Sequence, residues 1–168
     1  MRGESQKSLV GFNGTVRIPV IGKFVVSDHF IRGQDTGREV KVDIFWMGNN
    51  FANWFLEKVE EPIGAKTLSY YKLLRNSLDG PIIDALGGKE IVEVTLGQIF
   101  FLMKKQVSEV GVLLTNSCAN IFYARDINNV LRAIYVRWYD GAWRINSDSC
   151  GSPYKWLAGH RVFAGRRA

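Results

Sequence analysis

Residues 119–146, ANIFYARDINNVLRAIYVRWYDGAWRIN, decide the fold. β-branched and aromatic residues dominate this segment, and two turn signals divide it into three runs of strand length. Asp140-Gly141 is the stronger signal, because both central residues of a type I′ turn need positive φ and these two residue types tolerate it. Asn128-Asn129 is a weaker form of the same signal. The segment therefore predicts two consecutive hairpins that share their central strand.

The two short turns also predict which residues face each other. A two-residue loop at Asp140-Gly141 sets these opposite pairs: Tyr139 with Ala142, Trp138 with Trp143, Arg137 with Arg144 and Val136 with Ile145. A two-residue loop at Asn128-Asn129 sets these: Tyr123 with Ile134, Phe122 with Tyr135 and Ile121 with Val136. Register matters, because a slip by one residue moves every side chain of a strand to the other face of the sheet.

Alternation of side chains then sorts the predicted sheet into two faces. We expect the core face to carry Ile121, Tyr123, Ile134, Val136, Trp138, Trp143 and Ile145. We expect the opposite face to carry Asn120, Phe122, Ala133, Tyr135, Arg137, Tyr139, Arg144 and Asn146. The basic and aromatic members of this second set, Tyr135, Arg137, Tyr139 and Arg144, are the candidate binding residues.

Arg137 and Arg144 are the reason for proposing a binding face. Like charges directly opposite each other on neighbouring strands are mildly destabilising. A bound anion, or a nucleic-acid base stacked on Tyr135 or Tyr139, would relieve the repulsion. The alternative is that both arginines extend into water over an ordinary solvated face, which is common in antiparallel sheets.

Length and composition bound the remaining possibilities. The chain has 168 residues, of which 46% are hydrophobic, so it is long enough to bury a core without a disulfide or a metal. We expect a polar lead-in over residues 1–14 and a single α+β domain over residues 15–168. Cys118 and Cys150, with His29 and His160, fit no zinc spacing, so no metal or cofactor is expected. A cysteine nucleophile paired with one of these histidines is an alternative without a recognisable motif.

The formal charge of +6 is concentrated near the C-terminus. Residues 118–168 hold eight Lys/Arg and three Asp/Glu, and Arg166 and Arg167 add to a basic tail. Such clustering favours attraction to a polyanion, including nucleic acid. The N-terminus lacks a secretory pattern, and no apolar run approaches the ~20 residues of a membrane span. A cytoplasmic protein without a membrane partner is therefore expected.

Other elements follow from shorter patterns. Strands are predicted within residues 15–31, over 40–46, at 112–114 and at 161–164. The first of these segments is broken at Pro19 and Gly22, and a turn is predicted over 33–37. Residues 67–76 fit a strand or a helix, and their aromatic content favours the strand. Helices are predicted at about 50–60, 79–86 and 95–106, the last opened by the capping box Thr95–Gln98.

Three carboxylates are expected on a solvated helix face: Glu57, Glu60 and Glu61. Asp79 and Asp126 are expected to serve turns through their own backbone, and Gly87-Gly88 to stop a helix.

These elements show no alternation of strands with helical crossovers, which argues against a doubly wound parallel sheet. The predicted class is α+β, with a mainly antiparallel sheet, a C-terminal double hairpin and two or three short helices.

Three motifs carry a resemblance to a known family. They are LLTNSCANIFYARDINNVLRA over residues 113–133, WYDGAW over 138–143 and LDGPIIDALGG over 78–88. With them, the chain from about residue 40 onward resembles a family of uncharacterised proteins that recurs in bacteria with strongly reduced genomes. The resemblance implies a bacterial protein with this hairpin sheet, and it implies no activity or catalytic residue.

Two classes of function remain open. The sequence favours a non-enzymatic binding or interaction module that uses the basic-aromatic sheet face, with single-stranded nucleic acid as the specific version. The alternative is a small enzyme whose site is assembled from scattered residues. An exposed basic-aromatic face would favour binding, and a pocket with converging polar groups would favour the enzyme.

Overall fold

Nine strands and five helices organise the residues that the computed structural model describes, which are 8–33, 42–108 and 111–165. The strands are β1 Val10–Ile18, β2 Phe24–Val25, β3 Ile44–Met47, β4 Val59–Glu60, β5 Lys66–Leu73, β6 Ala119–Arg125, β7 Leu131–Tyr139, β8 Ala142–Ser149 and β9 Arg161–Gly165. Seven of them form one sheet in the order β1-β5-β9-β6-β7-β8-β3, and β2 pairs with β4 separately.

The helices are short except for the last. They are α1 Val26–His29, α2 Asn49–Phe55, α3 Asp79–Ala85, α4 Lys89–Val92 and α5 Leu96–Ser108. The predicted capping box opens α5, since the backbone N–H of Gln98 donates to Thr95 Oγ1 and that of Thr95 donates to Gln98 Oε1. None of the helices in the described ranges has the length and apolar character needed to cross a bilayer.

The large sheet with its helices makes the fold α+β, but the sheet is mixed. β3 runs parallel to β8, and β9 runs parallel to β6, while the other neighbours in the sheet are antiparallel. Turn signals reveal only strands that follow each other closely along the chain. Parallel neighbours need long connections, so turn signals in the sequence cannot indicate these two pairings.

The hairpin at Asp140-Gly141 has the predicted register. Arg137 lies opposite Arg144, and Trp138 lies opposite Trp143. The turn residues have φ values of 51° and 82°, as a type I′ turn requires. Trp143 is fully buried, whereas Trp138 is half-buried with its ring edge-on to that of Trp143.

The predicted register of the other hairpin is wrong by one residue. The backbone N–H of Asp126 bonds the Val130 carbonyl at 2.9 Å, and Asn129 has a φ of 63°. These are the features of a three-residue loop with a left-handed last residue, instead of a two-residue Asn-Asn loop. Phe122 therefore lies opposite Ile134, and Tyr123 lies opposite Ala133.

This register buries both faces of the central strands. On the first face, Phe122 and Phe163 pack with the apolar side of α5 in one core cluster. On the second face, Ile121 and Tyr123 pack with the apolar residues of α3 and α4 in another. The expectation of one core face and one wet face was therefore wrong for β6, and Phe122, Asn120, Ile121 and Tyr123 each lie on the face opposite to the predicted one.

Several local predictions also need correction. The first strand begins at Val10, inside the predicted polar lead-in. Residues 66–73 form a strand, which settles the ambiguity there, while residues 112–114 are irregular. The predicted helix at 50–60 ends at Phe55, because the chain then turns into β4. The predicted turn after Gly33, Val40 and the basic tail at Arg166 and Arg167 lie outside the described residues.

Glu60 does not lie on a solvated helix face. It belongs to β4, is only 8% exposed, and accepts hydrogen bonds from the backbone N–H groups of Leu96 and Gly97 at 3.0 and 2.9 Å. Lys58 Nζ lies 3.2 Å from the same carboxylate. Because the first N–H groups of a helix lack partners within the helix, Glu60 stabilises the start of α5. Glu57 and Glu61 are exposed, as expected, but both follow the end of α2 and do not lie on a helix.

The full burial of Trp143 generates a stability prediction. Replacing Trp143 with Ala should lower the free energy of unfolding by about 3–5 kcal/mol, because the change leaves a large cavity in the first-face core. Chemical denaturation monitored by circular dichroism measures this. Trp46→Ala is the matched control, since Trp46 lies on β3 and is 40% exposed, and we expect it to cost about 1 kcal/mol or less. Equal losses for the two variants would contradict the core assignment.

Candidate anion-binding surface

The second face of the sheet has a closed end and an open end. At the closed end, α3, α4 and the half-buried ring of Trp156 cover the sheet. Trp156 packs edge-on against Tyr135, with ring centroids 5.3 Å apart. At the open end, Tyr139 is 53% exposed. The predicted binding residues thus share one face of the sheet, but only part of that face is accessible.

A buried hydrogen-bond network holds the closed end together. Asp79 is 1% exposed, and its Oδ1 accepts from Tyr123 Oη at 2.7 Å and from Trp156 Nε1 at 2.8 Å. The prediction that Asp79 caps its own turn was wrong, because α3 has no side-chain cap. The one-residue register change explains this role, since it places Tyr123 on the second face.

Burial shifts the pKa of several groups at the closed end. It raises the pKa of the Asp79 carboxyl, against the lowering effect of its bonds from Tyr123 and Trp156. Burial raises the pKa of the Asp148 carboxyl as well. It also raises the pKa of the Cys150 thiol to about 11. A thiol with such a pKa stays protonated near neutral pH, which argues against Cys150 as a nucleophile.

Arg137 and Arg144 lie side by side on neighbouring strands at the open end. Both are half-buried, and the Nε atom of each is covered from solvent with no hydrogen-bond acceptor among the described residues. An unsatisfied buried donor costs free energy, which is larger when the group is charged. Each guanidinium is therefore partly desolvated, at its Nε, instead of fully extended into water.

Two other arginines of the same hairpins have carboxylate partners. Arg125 Nε lies 2.8 Å from Glu93, and Arg132 Nε lies 2.9 Å from Asp126. Asp126 thus holds Arg132, while Arg125 pairs with Glu93. Neither Arg137 nor Arg144 forms a salt bridge within the described ranges.

Aromatic rings surround the arginine pair. The Arg144 guanidinium lies 5.0 Å from the ring centroid of Tyr139 and 5.5 Å from that of Phe45. The Arg137 guanidinium lies 6.0 Å from the ring centroid of Tyr135. Cation–π attraction of this kind positions the cations but does not neutralise them.

All four predicted binding residues lie on the second face, with different accessibility. Tyr135 is half-buried under Trp156, and burial raises the pKa of its hydroxyl. Tyr139 is exposed. Phe45, which is 52% exposed on β3, belongs beside them and was missed. No turn signal linked β3 to β8, so the sequence did not indicate this position. We call Phe45, Arg137, Tyr139 and Arg144 the open surface.

The candidate nucleophiles and histidines are not assembled into one centre. His29 stacks on Phe24, with ring centroids 4.2 Å apart, and its Nδ1 lies 3.0 Å from the Val25 carbonyl oxygen. Cys118 and His160 line one cavity, while Cys150 lies at the closed end. Over the described parts of the chain, no three His, Cys, Asp or Glu side chains converge as metal ligands would.

Comparison of the chain with protein-family models, with curated proteins and with solved structures gives no match. Function is therefore inferred from the geometry of the site.

The buried Asp79 carboxyl generates a pH prediction. A raised pKa in the folded state means that stability is lost as pH rises above the unfolded-state pKa of about 3.9, until the folded-state pKa is passed. Asp79→Asn keeps an oxygen acceptor and cannot ionise. The free energy of unfolding of D79N minus that of the wild type should therefore increase with pH across that window and then level off. Urea denaturation over a pH series measures it.

The matched control is Asp84→Asn, an exposed substitution in the same helix. A difference between D79N and the wild type that stays constant with pH would show that ionisation of Asp79 carries no cost in the folded protein.

Proposed function

We propose that this chain is a non-enzymatic binding protein whose open surface binds single-stranded nucleic acid. The observation that carries the proposal is the arginine pair: Arg137 and Arg144 face each other, keep unsatisfied Nε donors and have no carboxylate partner among the described residues. We further propose that the protein is bacterial, which the sequence resemblance supports, and that it is cytoplasmic.

Charge supports a phosphate-bearing ligand. A phosphate oxygen that reached the pair would accept hydrogen bonds from the terminal guanidinium nitrogens, and its negative charge would offset the repulsion between the two guanidinium groups. Arginine forms paired hydrogen bonds with phosphate, which lysine cannot do. The excess of basic residues over 118–168 adds long-range attraction.

The exposed rings support a ligand that carries bases. Tyr139 and Phe45 flank Arg144 from two strands, and more than half of each residue's surface is accessible. Bases of single strands stack on such rings irrespective of sequence, whereas bases of a duplex are already stacked on each other. This favours a single strand over a duplex and over a polyanion without bases.

The geometry gives less support to an enzyme at this place. Asp79 and Asp148, the carboxyl groups with raised pKa values, lie towards the closed end. The Oδ1 of Asp79 already accepts two hydrogen bonds. The open surface itself presents arginines and rings, which bind and position ligands but supply no general base.

Replacing both arginines tests the proposal directly. We expect Arg137→Glu with Arg144→Glu to abolish binding of a fluorescently labelled single-stranded oligonucleotide, measured by anisotropy at low salt. The milder change of both arginines to Gln should reduce the salt slope by about 0.7 per lost phosphate contact. Lys23→Glu with Lys104→Glu is the matched control, because it changes the net charge equally at two exposed positions away from this surface. The wild type showing no binding at low salt, or equal loss in the control, would overturn the proposal.

The aromatic residues make a separate prediction. Tyr139→Ala and Phe45→Ala should each weaken binding by about 1–3 kcal/mol without altering the salt slope, because stacking releases no counterions. Phe12→Ala is the control, since Phe12 is 64% exposed on β1 at the far edge of the sheet. Retained affinity in both test variants would mean that the ligand is held by charge alone.

A further inference from the structure

A second pair of like charges lies elsewhere in the same sheet. Lys72 of β5 is directly opposite Arg161 of β9. Tyr70 and Phe163 also lie opposite each other on these strands, and they belong to the first-face core. Residues two apart on a strand share a face, so Lys72 and Arg161 lie on the first face as well. Neither cation has a salt bridge within the described ranges. The pair therefore repeats the destabilising arrangement of the open surface on the other side of the sheet.

Arg161 is held in a fixed orientation. Its Nη1 donates to the Val112 carbonyl at 2.6 Å, and its guanidinium lies 4.9 Å from the ring centroid of Tyr70. Its Nε has no acceptor among the described residues and is covered from solvent. Since Nη1 is occupied and Nε is covered, the other terminal nitrogen, Nη2, is the donor that remains for an oxyanion, and the guanidinium charge strengthens its hydrogen bond.

His160 adds a neutral donor next to Arg161. Its Nδ1 accepts the backbone N–H of Ala119 at 2.8 Å, so the hydrogen of the neutral ring must reside on Nε2. Burial lowers the pKa of His160, and the nearby Arg137 lowers it further. His160 is therefore an N–H donor without charge at neutral pH.

These groups line one cavity of about 530 Å³. Its lining residues are Asn13, Lys72, Leu114, Asn116, Cys118, Gly159, His160 and Arg161. The lining contains no carboxylate. Asn116 uses its Oδ1 to accept the backbone N–H of Cys118, which leaves its amide hydrogens for another partner. The cavity thus offers hydrogen-bond donors and positive charge, and its volume is in the range that encloses small molecules.

We propose that this cavity binds a small phosphorylated molecule by its terminal phosphate, with Arg161, Lys72 and His160 as the phosphate ligands. A phosphomonoester carries a charge of about −1.5 to −2 near neutral pH and three acceptor oxygens. This matches two cations and one neutral donor better than a carboxylate does, since a carboxylate has one charge and two oxygens. The space beyond the phosphate is bordered by amides and by Leu114, which suits a polar group such as a sugar.

The cation pairs of the two sites lie on different faces of the sheet. Lys72 and Arg161 lie on the first face, whereas Arg137 and Arg144 lie on the second. Arg137 is near enough to His160 to lower its pKa, so Arg144 alone provides the control variant from the open surface. Failure of one proposal leaves the other standing.

The test is titration of the wild type with ribose 5-phosphate, with inorganic phosphate and with succinate, monitored by NMR and by calorimetry. We expect saturable binding of ribose 5-phosphate with shifts at the His160 ring and the Asn116 amide, weaker binding of inorganic phosphate, and little binding of succinate. Arg161→Lys keeps the charge but cannot bond the Val112 carbonyl and an oxyanion through two separate, fixed nitrogens, and should weaken binding at least about tenfold. Lys72→Ala should weaken it as well, and Arg144→Gln should leave it within about twofold.

Cys118 provides a second readout. Because the Cys150 thiol has a pKa of about 11, a maleimide near neutral pH should label Cys118 in preference. Bound ribose 5-phosphate should slow the labelling of Cys118 in the wild type and not in Arg161→Lys. The proposal is overturned if no phosphorylated probe binds, if Arg161→Lys binds as tightly as the wild type, or if succinate competes equally.

Discussion

The carboxylate of Asp126 is the constraint on which the rest of the structure depends. Its Oδ1 accepts the backbone N–H groups of Asn128 and Val130, and its Oδ2 accepts Arg132 Nε. Burial alone would raise the pKa of this carboxyl, but these donors outweigh burial and the pKa is lowered. The bonds hold a three-residue loop, and the loop sets the register of β6 against β7. That register sends Phe122 into one core and Tyr123 into the other, where Tyr123 meets Asp79.

The sequence was informative where a local motif specifies geometry by itself. Three features were predictable in this way: the Asp140-Gly141 turn, the capping box at Thr95 and the Gly87-Gly88 helix stop. Gly87 and Gly88 have φ values of 112° and 106°. The turn at Asn128-Asn129 failed because the decisive group is the side chain of Asp126, two residues before the dipeptide. The role of Glu60 was hidden for a similar reason, since its partners lie 36 and 37 residues away.

The candidate site was predictable to the extent that it belongs to one hairpin. The pairing of Arg137 with Arg144 follows from the type I′ turn alone. The covering of Tyr135 by Trp156 and the approach of Phe45 to Arg144 depend on tertiary contacts with segments far along the chain. The same limit applies to the cavity at His160, where β5, β9 and the loop before β6 meet. Pairing that spans such distances leaves no periodic trace in the sequence.

The position of β9 has a consequence for the order in which the sheet is completed. β1 and β5 form one antiparallel pair, β6, β7, β8 and β3 form the other part of the sheet, and β9 is the strand between them. Among the described strands, no hydrogen-bonded pairing joins the two parts directly. On the ribosome, where a chain emerges from its N-terminus, residues 161–165 emerge after every other described strand, so the two parts can pair internally first. Each then displays an open strand edge, which makes chaperone capture or edge-to-edge association a risk of biosynthesis until the last strand inserts.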